Sequence, residues 1–132
     1  MTSISTKLLA TAYHHLNEAE KVATEAPSAA VHSAYYAMFH AARAVLQQTH
    51  GTASLKHGTV HKGFEALVAN GSPDAQIQAH GLRAVYQARL ETDYTMEPAT
   101  PEIAAALVPL AVDFVAWCAR RLGAEPPPNA DP

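Results

Sequence analysis

Scarcity narrows the reading first. Cys118 is the sole cysteine of the chain, which excludes an intrachain disulfide and a cysteine-based zinc site and suits a reducing compartment. There is no basic excess either. Nine lysines and arginines against twelve acids give a formal charge of -3 with the eight histidines neutral, so tight, sequence-independent binding to a polyphosphate is not the main task, although a local basic pocket fits the balance. No Gly-rich phosphate loop, internal repeat or strand-like alternation occurs. The first residues, Met1 to Lys7, lack the apolar core and small-residue cleavage site of a secretion signal. The most apolar run, Ile103 to Ala119, is interrupted by Pro109 and Asp113 and falls short of the roughly 20 residues that a membrane span needs. These absences predict a cytoplasmic protein with no membrane segment, resident cofactor or metal.

What is present suits one compact domain. The chain has 132 residues, of which 48% are hydrophobic and 16% charged, enough for a single core. Apolar or small residues at Ile4, Leu8, Ala12, Leu16, Ala19 and Val22 predict a first helix over about 3–25, with Pro27 breaking it and Ser28 capping the next. A second helix is expected over about 28–49, stopped by Gly51, and a short third over about 59–69, ended by Asn70-Gly71. Ser72-Pro73-Asp74 and Thr100-Pro101-Glu102 share one grammar: a hydroxyl cap, proline at the first helical position and an acid in the first turn. They begin a fourth helix over about 73–94 and a fifth over about 101–122, the latter kinked at Pro109. The prediction is an all-α, up-and-down bundle of about five helices across residues 1–122. Residues 123–132 form a proline-rich tail, expected to be disordered.

The second helix organises the rest. Tyr35, Met38, Phe39, Ala42, Val45 and Leu46 fall on one face, Ala34, Ala37, Ala41 and Ala44 on another, and His32, Tyr36, His40, Arg43 and Gln47 on a third. Such a helix belongs in the centre of a bundle, with its polar seam towards a groove, a partner or a ligand. On the fourth helix Tyr86, Arg89 and Asp93 share a face. If both seams meet in one groove, Arg43 and Arg89 would hold phosphate while Tyr36 and Tyr94 would wall a base. His57 and His61 have the spacing of two ligands on one helical face, but no HExxH pattern accompanies them and the stretch near His57 has loop character. A helix-start or phosphate-contact role suits them better than metal.

The run Ser33 to Leu46, SAYYAMFHAARAVL, resembles the signature helix of HEPN-domain proteins, in their small stand-alone prokaryotic branch. His61-Lys62-Gly63-Phe64 is similar to that family's Thr-His-Lys-Gly segment, with Val60 where threonine stands. Arg89-Leu-Glu-Thr-Asp93-Tyr94 is similar to its Arg-to-Ala-Asp-Tyr ending, with Thr92 where alanine stands. The resemblance implies a helical bundle that dimerises, binds nucleotide or RNA in a groove near the dimer interface, and works with a minimal nucleotidyltransferase in a two-component module of toxin-antitoxin type. Tyr36, His40, Arg43, His57, His61, Arg89, Asp93 and Tyr94 are then the ligand-binding candidates. Two alternatives stay open. One is a metal-independent endoribonuclease toxin, with Arg89, Asp93 and His61 as catalytic candidates, although no histidine follows Arg89 on the fourth helix. The other is a non-catalytic structural or adaptor dimer.

Overall fold

A computed structural model describes residues 1–95 and 97–124; the expected tail from residue 125 onward lies outside the described residues. Five helices follow in order: α1 (Ser3–Val22), α2 (Pro27–His50), α3 (His57–Val68), α4 (Pro73–Tyr94) and α5 (Pro101–Leu122). The two hydroxyl-proline-acid starts behave as their chemistry requires. Ser72 accepts from the amide of Ala75, and Thr100 accepts from the amide of Ile103. Gly51 closes α2 and Gly123 closes α5, both in the left-handed conformation that costs glycine least.

Three boundaries differ from expectation, each for a physical reason. α1 stops at Val22 rather than at Glu25, and a turn leads to Ala26. Pro27 does not merely end the first helix; it opens α2 at a position where its missing amide donor is no loss. Ser28 therefore does not cap α2. Its Oγ instead accepts from the amide of Ala99 at 2.9 Å, tying the segment before α5 to the start of α2. α3 begins at His57, so the stretch expected to be loop-like is helical from that residue.

α2 packs against all four other helices and is their common core element. Ala34, Ala37, Ala41 and Ala44 are fully buried, which lets neighbouring backbones approach, while Tyr35 and Met38 are also fully enclosed. Burying each large apolar side chain contributes about 1.5–3 kcal/mol. Ser5 reaches the carbonyl of Ala44, and His32 reaches Asp93, so α1 and α4 both run antiparallel to α2. The Ser28–Ala99 bond sets α5 in the same direction as α2, and the four long helices alternate up and down. Phe64 of α3 packs on Phe114 and Trp117 of α5.

α5 runs unbroken through Pro109. Among the described residues it is long and apolar enough to cross a membrane, which revises the expectation that this region falls short in length. In the bundle its Ala104, Val108, Ala111, Phe114, Val115 and Cys118 are buried against the core. Burial also pushes the Cys118 thiol far up, which removes thiolate chemistry and makes it a small core residue.

Candidate functional site

The polar seam of α2 collects side chains from three other helices. At its N-terminal end the His32 Nε2–H donates to Asp93 Oδ1 of α4 at 2.8 Å. One turn later the guanidinium carbon of Arg89 lies 5.2 Å from the Tyr36 ring centre and 5.3 Å from that of Tyr35. Both are cation–π distances. Arg89 Nε stands 3.6 Å from Asp93 Oδ2, too far for a hydrogen bond, and is buried without an acceptor among the described residues. The Arg89 side chain keeps 17% of its surface open.

Beneath this cation, Tyr35 holds two histidines. Its hydroxyl is 2.6 Å from His57 Nδ1 and 2.9 Å from His61 Nε2. A phenol has one proton to give, so it donates to one imidazole and accepts an N–H from the other. That requires at least one neutral imidazole. Burial, then the nearby Arg83 and His57, lowers His61 to about 4, and burial followed by Arg89 lowers His57, so both are neutral at pH 7. Burial raises the Tyr35 phenol and keeps its proton in place. His57 stacks on Phe39 with centroids 4.5 Å apart, and Tyr86 meets His61 edge-on at the same separation.

Farther along α2, His40 stacks on His15 of α1 at 5.4 Å. Arg43 Nη1 donates to His40 Nδ1 at 3.1 Å. Burial, then Arg43 and His15, lowers His40 to about 4. Arg43 Nε donates to the Ser54 carbonyl at 2.8 Å and Nη2 to that of Ala53 at 3.4 Å. Its charge is thus spent on the connection between α2 and α3 rather than held open for a phosphate.

The seam thus brings together the partly open guanidinium of Arg89, the aromatic rings of Tyr36 and His57, and the imidazoles held by Tyr35. A cavity of about 510 Å³ lies elsewhere, between α1 and Ala124, and shares no residue with the seam. A family model of the HEPN domain matches residues 5–122. The chain belongs to the HEPN family. No curated protein matches it significantly.

In this HEPN protein Tyr36, His57, Arg89 and Asp93 share one neighbourhood. His61 lies below them, only 5% exposed, behind the hydroxyl of Tyr35, so as a catalytic candidate it has no open approach. Tyr94 is 80% exposed and does not wall a groove with Tyr36; Tyr86 and the fully buried Tyr35, 5.1 Å apart, are the rings packed beside the two histidines. The sequence reading gave no role to the Tyr35 hydroxyl or to His15, and it left His32 in the seam without a partner. The available signal for Tyr35 was the spacing of His57 and His61, because imidazoles turned towards a core need polar partners there.

Proposed function

We propose that this HEPN protein binds the phosphate and base of RNA or of a nucleotide in the seam between α2, α3 and α4. In this reading it acts as a cytoplasmic homodimer and as one half of a two-component module with a minimal nucleotidyltransferase. The observation that carries the binding site is Arg89. Its Nε is buried without an acceptor among the described residues, and its guanidinium lies over two tyrosine rings. A buried donor left unmet costs about 1–3 kcal/mol, and the 17% of the Arg89 side chain that stays open can offer an incoming phosphate a charge-assisted bond. Membership of the HEPN family, together with the Ser33 to Leu46 signature, supports the module.

Thermal shift with AMP, ATP and a short single-stranded RNA tests the site. A ligand at 100 times its dissociation constant stabilises the fold by about 2.7 kcal/mol. The expected result is a shift in the wild type that Arg89→Ala abolishes. A missing shift with every ligand would favour the adaptor dimer. Co-purification with a nucleotidyltransferase encoded beside this protein tests the module, and a monomer that ignores that partner would remove it.

A further inference from the structure

At the far end of α4 from the seam, charges of both signs line one cavity without meeting. About 410 Å³ of space lies between the end of α3, the first turn of α4 and the last turns of α5, with Asp74 on one wall and Arg120 and Arg121 on another. Along α4, Asp74 stands ~22 Å from Arg89 at about 1.5 Å per residue, so the two places are separate. Each charge suits its own helix end, an acid at the start of α4 and bases at the finish of α5. That preference alone would let them pair. Yet all three side chains are exposed, and neither arginine forms an ion pair among the described residues. Asp74 is held instead by Gln78, whose Nε2 donates to Oδ1 at 3.3 Å. The floor between the charges is apolar. Leu67, Val68 and Trp117 line it, and the Arg121 guanidinium carbon lies 5.5 Å from the Trp117 ring centre. Trp117 is only 9% exposed, and its indole N–H makes no hydrogen bond among the described residues. Unlike Arg89 Nε that N–H is not sealed in, so it opens where Trp117 keeps its small free surface, at this cavity. The wall at Gly71 is drawn tight: a Cβ there would meet the Val68 carbonyl oxygen at 3.0 Å and the Ala75 Cβ at 3.1 Å.

We propose that this cavity binds an apolar amino acid by its carboxylate, either free or as the last residue of a peptide. Arg120 and Arg121 hold the carboxylate, with the Trp117 N–H as a further donor. Asp74 accepts from the amine or amide N–H of the ligand, and the ligand's side chain lies on Leu67, Val68 and the Trp117 ring. The volume falls in the range of about 300–1,000 Å³ common to small-ligand sites, which are apolar with a few placed polar groups. A phosphate dianion suits the cavity less, because Asp74 repels it and the apolar floor has nothing to cover. The site does not depend on what the seam binds.

Trp117 is the sole tryptophan, so its indole N–H gives a single NMR signal that reads this cavity directly. The full chain is titrated with leucine, with the tripeptide Gly-Gly-Leu, with the same tripeptide amidated at its C-terminus, and with inorganic phosphate. Leucine or the free tripeptide should move the indole signal to saturation. Tighter binding of leucine assigns a free amino acid to the site, and tighter binding of the tripeptide assigns a peptide end. A charge-assisted contact is worth at least about tenfold in affinity, so the amidated tripeptide should bind that much more weakly. The double variant Arg120→Gln, Arg121→Gln and the single variant Asp74→Asn should each lose a similar factor for the ligand that binds wild type, with the rest of the spectrum unchanged. No saturable shift with leucine or the free tripeptide overturns the proposal, and so does equal affinity for the amidated one. An equal response to phosphate would mark a plain anion site and also overturns it.

Discussion

Tyr35 shows how one atom can decide a neighbourhood. Its ring belongs to the apolar face of α2, but its hydroxyl satisfies both His57 and His61. Tyr35→Phe keeps the ring and leaves two imidazoles without that partner. The expected loss is about 1–3 kcal/mol, read by urea denaturation at pH 7. Protonation attacks the same region. His61 and His40 are lowered from 6.5 to about 4 in the folded protein, so between these values the unfolded chain binds more protons than the folded one. Their contribution to stability is fully present above about pH 6.5 and is lost as pH falls through about 4. Denaturation midpoints measured between pH 7 and pH 4 should fall accordingly. His61→Asn, which keeps a polar group beside Tyr35, should flatten that slope by about one proton.

At the scale of elements, the connection between α2 and α3 depends on Arg43. The six residues 51–56 must return along α2 so that His57 can start α3 beside Phe39, and Arg43 holds the carbonyls of Ala53 and Ser54 as they do so. Arg43→Ala removes those bonds, with an expected cost of about 1.5–3 kcal/mol, and should raise amide hydrogen exchange in residues 51–56 before the rest of the fold. Arg43→Lys should not recover the protection, since one ammonium lacks the planar fork that reaches two carbonyls and His40 together. The helices were legible from local patterns: Ser72 and Thr100 cap where their side chains can reach the first free amides. The start of α3 was not, because Lys56 offers no side-chain cap and the first turn is fixed by contacts of His57 with Tyr35 and Phe39.

Across the whole molecule, α2 is the axis on which the other four helices close. Its fully buried alanines set the distance of that closure, so volume added there has nowhere to go. Ala41→Leu should destabilise the bundle by about 1–3 kcal/mol, visible as a lower denaturation midpoint with an unchanged denaturant slope. An equal or higher midpoint would show that the helices can part without penalty.

Five helices, a central α2 and its three-sided character could be read from residue order, since caps, prolines and a 3.6-residue period act over a few neighbouring positions. The candidate site could be read only in part. Where the seam's cations came to rest depended on long-range partners: Arg43 turned to the carbonyls of the next connection, while Arg89, beside Asp93, lies over Tyr35 and Tyr36. Tyr94 follows Asp93 directly, yet it points away into exposure while Asp93 bonds to His32 from a helix 61 residues earlier in the chain. Local periodicity assigns a side chain to a face. Only the docking of α4 and α3 against α2 determined which of those faces met, and therefore which donors were satisfied and which were left open.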